Sequence, residues 1–412
     1  MRLNKTYWRA IRRYILVFTA IAFLPLALIY LVRNEQMYKL KGYEAIKVKE
    51  HFAEQTFRYP VMLLGKNKDL TIAATGNSKK KHSKYDKYIN ETHIPLIPDE
   101  AIQSLSESDM LKVEKRMERR RKVLLDKCSE LGLDVVGTDP WHKPNPWEFL
   151  VNKKYHIIWC NVFKAASSSW MFNFNILAGY SPEFLHKTKE IFLHLARVRY
   201  PRVTLDELKQ AQNDSITFII ARHPFERLLS AYRDKFMFAV PHSFHDKLGR
   251  KIIRTYRRKG FDNHAPKHPT FPEFIRWLLD QVKQGNYLDM HFVASTRFCT
   301  PCLINFDIIM KFETLEEDQL YLIEKTGLKR VIAPEWRNMG KGKNTLELLL
   351  QFFSQLTRRE LDGLYDYYRY DFELFDYSVA SYYNIAKPNE IKIPEAAAVA
   401  LGKVSTSAKV KA

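Results

Sequence analysis

Apolar runs of strand length alternate along the middle of the chain with segments in which apolar residues recur every three or four positions. Such a recurrence places apolar residues on one face of a helix, whereas a short continuous apolar run is typical of a buried strand. Because strands that alternate with helices form parallel sheets covered on both faces, we predict an α/β fold with a central parallel sheet. The predicted strands cover 155–163, 216–222 and 307–312, and the predicted helices cover 104–131, 168–177, 224–237, 271–282 and parts of 345–372.

The N-terminal segment has a different pattern. Residues 14–32 are nineteen uncharged, mostly apolar positions, which is long enough to cross a bilayer as a helix. Five basic and no acidic residues precede this run, which favours a cytoplasmic N-terminus. A cleaved signal peptide is the alternative, but no small-x-small cleavage site follows the run. The predicted organisation is a cytoplasmic tail (1–13), a transmembrane signal-anchor (14–32), a stem or linker (33–103), a lumenal domain (104–385) and a disordered tail (386–412).

Composition limits the class of protein and of partner. Apolar residues make up 46% and aromatic residues 13% of the chain, enough for a substantial core and too much for wholesale disorder. The formal net charge of +20 favours an acidic partner, and nucleic acid, anionic lipid and an acidic polysaccharide all fit it. No RNA-recognition signature, zinc-finger spacing or basic zipper accompanies the charge, so we do not expect a nucleic-acid partner. No pattern indicates an oligomeric state.

Cysteines and glycosylation triplets are consistent with the predicted lumenal placement. The four cysteines can form disulfides in three pairings, and Cys299-x-x-Cys302 is half a zinc motif without a second half, so disulfides are the favoured interpretation. Asn90-Glu-Thr and Asn213-Asp-Ser are acceptor triplets for N-glycosylation. The four cysteines are Cys128, Cys160, Cys299 and Cys302.

Two runs combine a strand end, a turn with cationic and hydroxyl side chains, and a helix start. They read Phe163-Lys-Ala-Ala-Ser-Ser-Ser-Trp170 and Arg222-His-Pro-Phe-Glu-Arg-Leu-Leu-Ser-Ala-Tyr-Arg233. Free N–H groups and the positive end of a helix favour an anion, and Lys164 and Arg222 add positive charge. Two such turns can hold two phosphates of one nucleotide. No Walker-type Gly-x-x-x-x-Gly-Lys-Ser occurs, which disfavours an ordinary nucleotidase or kinase.

These runs resemble the 5′-phosphosulfate loop and the 3′-phosphate loop of the Golgi carbohydrate sulfotransferases. The resembling branch includes the chondroitin and dermatan 4-O-sulfotransferases and the HNK-1 sulfotransferase. The first loop departs from the branch pattern, because Phe163 replaces a proline and serines replace Cys, Thr and Asn. The likeness covers most of 110–380 and continues through 289–292, 298–302, 311–315 and 367–375.

The resemblance implies a P-loop-NTPase-like sulfotransferase fold and a single-pass type II protein of the Golgi membrane. It implies sulfuryl transfer from 3′-phosphoadenosine 5′-phosphosulfate, without a metal, to a sugar hydroxyl. Lys164 would stabilise the leaving phosphate and His291 would be the general base, with Glu226 and Glu313 as weaker alternatives. The implied donor-binding residues are Phe163, Lys164, Ala165, Ala166, Ser167, Ser168 and Ser169 in the first loop, and Arg222, His223, Pro224, Phe225, Glu226, Arg227, Leu228, Leu229 and Ser230 in the second.

A basic amphipathic segment is the predicted acceptor surface. Arg250, Arg254 and Arg257 or Arg258 fall on one face of a predicted helix, where an acidic glycosaminoglycan or glycan can bind. A solvated helix face without a ligand is the alternative. The implied acceptor position is the 4-hydroxyl of N-acetylgalactosamine in chondroitin or dermatan. An N- or O-linked glycan end and a non-catalytic, lumenal glycan-binding protein are the competing hypotheses.

Overall fold

The computed structural model of the 412-residue chain describes residues 89, 94, 96–258, 265–334 and 345–389. Its strands are β1 (Phe149–Asn152), β2 (Ile157–Cys160), β3 (Ile216–Ala221) and β4 (Ile308–Lys311). Its longer helices are α1 (Glu107–Glu130), α2 (Ser167–Leu177), α4 (Phe192–Arg199), α5 (Leu205–Gln212), α6 (Pro224–Tyr232), α7 (Phe244–Tyr256), α8 (Phe271–Lys283), α10 (Leu315–Lys325), α11 (Thr345–Phe353) and α12 (Arg358–Leu374). The short helices are α3 (Pro182–Lys187), α9 (Ser295–Cys299) and α13 (Ala380–Ile385).

The sheet of the described residues has the order β1-β2-β3-β4. Strands β2, β3 and β4 are parallel, as predicted, whereas β1 pairs antiparallel with β2. The predicted central parallel sheet is therefore present, with an antiparallel strand added at one edge that was not predicted. Only residues 153–156 connect β1 to β2, and such a short connection can join antiparallel strands but not parallel ones.

The predicted elements are present with shifted ends. The predicted strand 155–163 is shorter, at Ile157–Cys160. The predicted helix 224–237 ends as an α-helix at Tyr232 and continues as a π-helical turn, Arg233–Met237. The segment 345–372 contains two helices, since Thr357 forms a capping box with Glu360 and starts α12.

Aromatic side chains fill the core against the central strands. Trp159 of β2 lies 5.4 Å from Phe174 of α2, and Trp170 lies 4.8 Å from Phe218 of β3, measured between ring centroids. All four rings are fully buried. Helix α2 is therefore fixed on the sheet by the same residues that follow the first predicted phosphate loop.

Two disulfides, Cys128–Cys302 and Cys160–Cys299, select one of the three possible pairings. They confirm that the cysteines pair rather than form a zinc motif. Cys160 is the last residue of β2, so its disulfide fixes the segment around Cys299 beside the first loop. Closing a loop of 174 or 139 residues restricts the unfolded chain, and the chain-entropy account puts the gain at about 5 kcal/mol for either bridge formed alone.

The predicted transmembrane segment 14–32, most of the predicted stem, residues 390–412 and Asn90 lie outside the described residues. No helix within the described ranges is long and apolar enough to cross a bilayer. Asn213, the second predicted glycosylation site, is exposed at the end of α5.

Candidate active site

The first loop connects β2 to α2 and has an unusual backbone. Lys164 and Ala166 have φ angles of 68° and 55°, in the left-handed region that residues other than glycine rarely adopt. Where residues with left-handed and other backbone angles follow one another, successive N–H groups point toward one side and form a concave anion-binding site. The N–H groups of Ser167 and Ser168 begin the eleven-residue helix α2 and have no acceptor among the described residues. The loop therefore offers free donors at the positive end of a helix.

The second loop begins where β3 ends. His223 is the N-cap of α6, and Pro224 takes the first helical position, where its missing N–H is not needed. The side chains of Phe225, Leu228 and Leu229 are buried, as the predicted apolar stripe requires.

Arg222 joins the two loops. Its Nη1 donates a hydrogen bond to the Lys164 carbonyl oxygen at 3.1 Å, and its guanidinium lies 4.1 Å from the centre of the Phe312 ring. Glu226 is 3.8 Å from Nη2, and Nε has no partner in the described part of the chain. Because β2 and β3 are adjacent and parallel, both loops lie at the same edge of the sheet. The two predicted phosphate-binding cations thus border one crevice.

The polar face of α6 and the turn after it form one wall of the crevice. Glu226, Ser230 and Asp234 follow at four-residue intervals and so share a helix face. Asp234 Oδ2 is 3.2 Å from Lys164 Nζ and 3.1 Å from Lys235 Nζ. Burial lowers the pKa of Lys164, and the Asp234 carboxylate offsets part of that shift. The Ser230 hydroxyl is half-buried and makes no hydrogen bond to a described residue.

His291 lies beside the first loop. Its ring centroid is 5.0 Å from that of Phe163, and its Nδ1 is 2.5 Å from Asp289 Oδ1. Burial lowers the pKa of His291, so the ring is neutral near pH 7 and can accept a proton. Arg227 is buried beneath both segments and donates to the carbonyl oxygens of Phe163, at 3.3 Å, and of Val293. The Arg227 side chain thereby links the first loop to the His291 segment.

Not every predicted donor-binding side chain faces the crevice. His223 is buried, with its N–H donated to Glu313 and its Nε2 3.0 Å from the Ser378 carbonyl oxygen. Donor contact through such buried side chains stays a prediction, and their observed role is to hold the loops in place. The other predicted residues with buried side chains are Ala165, Ser169, Pro224, Phe225, Arg227, Leu228 and Leu229.

The predicted acceptor arginines differ in their surroundings. Arg257 donates to both carboxylate oxygens of Glu273, at 2.9 and 3.0 Å, so its guanidinium is engaged within the fold. Arg250 is half exposed and 3.0 Å from Asp246, one turn before it. Arg254 is exposed one turn after Arg250, whereas Arg258 follows the end of α7. The surface of α7 that remains open to an acceptor is therefore centred on Arg250 and Arg254.

Asp234, His245, Asp289 and Phe312 also border the site but were not predicted to belong to it. Asp234 could have been predicted from the sequence, because it follows Ser230 by four residues and so shares its helix face. Only tertiary structure brings His245 of α7 to 3.3 Å from Asp289 Oδ2. Ligand atoms of His245, Asp289 and His291 lie within 4.8 Å of one another, close enough for a cation, so the expected absence of a metal stays a prediction.

Comparison with known proteins gives one consistent result. A model of the sulfotransferase family matches residues 147–378, more than half of the 412-residue chain. Carbohydrate sulfotransferase 9 of Homo sapiens is 31% identical over 277 residues, which is 65% of this chain and 61%, less than two thirds, of that protein. Carbohydrate sulfotransferase 11 of Mus musculus is 30% identical over 58% of this chain and 70% of its own length. Carbohydrate sulfotransferase 10 of Gallus gallus is 28% identical over 64% of this chain and 75% of its own length. No solved structure matches the chain significantly.

Proposed function

The chain belongs to the sulfotransferase family, and we propose that it is a carbohydrate sulfotransferase that uses 3′-phosphoadenosine 5′-phosphosulfate as its donor. One observation carries the proposal: the Arg222 guanidinium donates to the Lys164 carbonyl oxygen at 3.1 Å, so the two loops adjoin at one sheet edge. A doubly phosphorylated adenosine needs two cationic sites in one crevice, and Lys164 and Arg222 supply them.

The free N–H groups of Ser167 and Ser168 would bind the 5′-phosphate, and Arg222 with Ser230 would bind the 3′-phosphate. During transfer the acceptor oxygen attacks sulfur, and the bond between sulfur and the bridging phosphate oxygen breaks. Lys164 would stabilise the negative charge that grows on that leaving oxygen. Nε2 of His291 would take the proton of the acceptor hydroxyl.

The acceptor that we propose is an acidic glycosaminoglycan, with transfer to the 4-hydroxyl of N-acetylgalactosamine in chondroitin or dermatan. The net charge of +20 and the exposed Arg254 support a polyanionic acceptor. The end of an N- or O-linked glycan is the alternative acceptor. A panel of desulfated chondroitin, desulfated dermatan and free glycans, each incubated with labelled donor, separates these acceptors by which product carries the label.

Donor binding can be tested without an acceptor. Isothermal titration of the full chain with 3′-phosphoadenosine 5′-phosphate should give clear binding, and Arg222→Ala should weaken it at least tenfold because a desolvated guanidinium–phosphate contact is lost. Arg276→Ala is the matched control, since Arg276 is 45% exposed and pairs with Glu360, and neither residue belongs to the two loops. Equal affinity of the wild type and Arg222→Ala would show that Arg222 does not bind the 3′-phosphate.

A non-catalytic glycan-binding protein is the second candidate, because the first loop has serines and Phe163 in place of the family's residues. Lys164→Ala distinguishes the two. The enzyme loses turnover with this change, whereas a binding protein has no turnover and keeps its affinity for chondroitin.

We also propose that the protein is a single-pass type II protein of the Golgi membrane, with 14–32 as its anchor and the catalytic domain in the lumen. Two disulfides support an oxidising compartment. Sensitivity of the glycans at Asn90 and Asn213 to an endoglycosidase tests this placement, since cytosolic protein carries no such glycan.

A further inference from the structure

Asp289 lies between two imidazole rings that come from different elements. Its Oδ1 is 2.5 Å from His291 Nδ1, and its Oδ2 is 3.3 Å from Nε2 of His245 on α7. The side chains of all three residues are less than one fifth exposed. Oδ1 also accepts the backbone N–H of His291 at 2.9 Å, which fixes the carboxylate relative to the ring. The carboxylate is therefore hydrogen-bonded to His291 through Oδ1 and lies against the His245 ring through Oδ2.

The carboxylate is in its charged form. Burial by itself would raise the pKa of Asp289, but the His291 and His245 rings hold it well below its usual value. An ionised carboxylate can only accept hydrogen bonds, so His291 Nδ1 must carry a proton. In a neutral imidazole the other nitrogen, Nε2, then has the free lone pair.

We propose that Asp289 is a positioning residue for sulfuryl transfer: it keeps the proton of His291 on Nδ1, so that Nε2 faces the acceptor as the base, and His245 anchors it from α7. This inference rests on the proposed function. When Nε2 takes the acceptor proton, the ring becomes an imidazolium and Asp289 stabilises that charge without taking the proton. The proton then leaves Nε2 for water once the sulfated sugar has dissociated.

The charged and titratable groups around His291 are consistent with this role. Asp289 contributes negative charge and Lys235 from the π-helical turn contributes positive charge, and the His245 ring of α7 lies 5.9 Å from the His291 ring between centroids. Asp289 is thus the neighbour that favours the imidazolium over the neutral ring. Oδ1 of Asp289 and Nδ1 of His291 lie at hydrogen-bonding distance, so the carboxylate and the ring form a hydrogen-bonded pair.

Asp289→Asn is the decisive variant. Asparagine has the same shape, but its amide can donate to Nδ1 and so favour the tautomer with the proton on Nε2. We expect kcat to fall about 10²- to 10⁴-fold, the loss that follows when a positioned base is disabled. Affinity for 3′-phosphoadenosine 5′-phosphate should stay at the wild-type value, because Asp289 makes no contact with Lys164 or Arg222. Asp126→Asn makes the same chemical change at an exposed residue of α1 and should keep full activity.

Two further readouts exclude a merely structural role. The acid limb of the kcat/KM profile reports protonation of His291, and removing the negative neighbour should move this limb to lower pH. His245→Gln keeps a side-chain nitrogen that can donate to Asp289 and should retain more kcat than His245→Ala.

Nitrogen-15 NMR of the wild-type histidine side chains tests the tautomer independently of activity. A proton on Nδ1 of His291 supports the inference, and a proton on Nε2 overturns it. Wild-type kcat in Asp289→Asn, or parallel loss of kcat and nucleotide affinity, would also overturn it. If the wild type binds no nucleotide and transfers no sulfate, the proposed function fails, whereas the tautomer result still decides the inference.

Discussion

Asp234 lies next to Lys164 at the point where an anionic ligand would be expected to bind. Its carboxylate is 3.2 Å from Lys164 Nζ, and a π-helical turn, a feature that often marks functional sites, carries it there. The side chain is 46% exposed, so it can turn to solvent when a phosphate enters. The Asp234 carboxylate therefore competes with a bound phosphate for the Lys164 ammonium group.

We predict that Asp234→Asn binds 3′-phosphoadenosine 5′-phosphate more tightly. The gain should be about two- to fivefold, because solvent screens a partly exposed ion pair, and it should shrink as salt concentration rises. Titration calorimetry at two ionic strengths measures both effects, with Asp126→Asn as the charge-matched control. Unchanged or weaker binding by Asp234→Asn would show that the carboxylate does not compete.

A buried ion pair joins helix α1 to helix α10, and hydrogen bonds from both of its members reach β4. Arg120 Nη1 donates to Asp318 Oδ2 at 2.6 Å and to the Ile309 carbonyl oxygen of β4 at 3.0 Å. The Asp318 carboxylate is fully buried and also accepts the Lys311 N–H at 2.9 Å. The pair thus fixes the end of β4, immediately before the Phe312 ring on which Arg222 lies.

Asp318→Asn should lower the free energy of unfolding by about 3 kcal/mol, because it leaves the buried Arg120 charge uncompensated. Urea denaturation measures this loss. In Asp126→Asn, where the pair with Lys122 is exposed, the change should stay within about 0.5 kcal/mol. Equal stability of the two variants would contradict a structural role for the Arg120–Asp318 pair.

Local pattern accounts for the elements that the sequence predicts well. The apolar run of β3 and the apolar stripe of α6 each contain their own signal, so the second loop is recognisable from its amino-acid pattern. Strand β1 has only four residues and no periodicity, and it is recognised only through its pairing with β2. The disulfide pairing and the contact of His245 with Asp289 depend on residues far apart in sequence, which no local pattern encodes.

The two disulfides lie at different distances along the chain from the first loop, so we expect them to affect nucleotide binding differently. Cys160 ends β2, four residues before Lys164, whereas Cys128 lies near the end of α1. Replacing either pair by alanines should cost about 2–5 kcal/mol of unfolding free energy. Only the Cys160→Ala/Cys299→Ala variant should also weaken binding of 3′-phosphoadenosine 5′-phosphate, since it frees the strand that presents the first loop. Equal effects of both double variants on affinity, measured by calorimetry, would argue against this distinction.

We propose that the crevice between the two loops transfers a sulfuryl group to a sugar. The most direct test incubates the full chain with 3′-phosphoadenosine 5′-phosphosulfate labelled in sulfur and with desulfated chondroitin or dermatan. We predict that the wild type transfers label to N-acetylgalactosamine and that Lys164→Ala, folded to the same extent, transfers none. Absence of label from every sugar acceptor tested with the wild type, or equal labelling by Lys164→Ala, would contradict the claim.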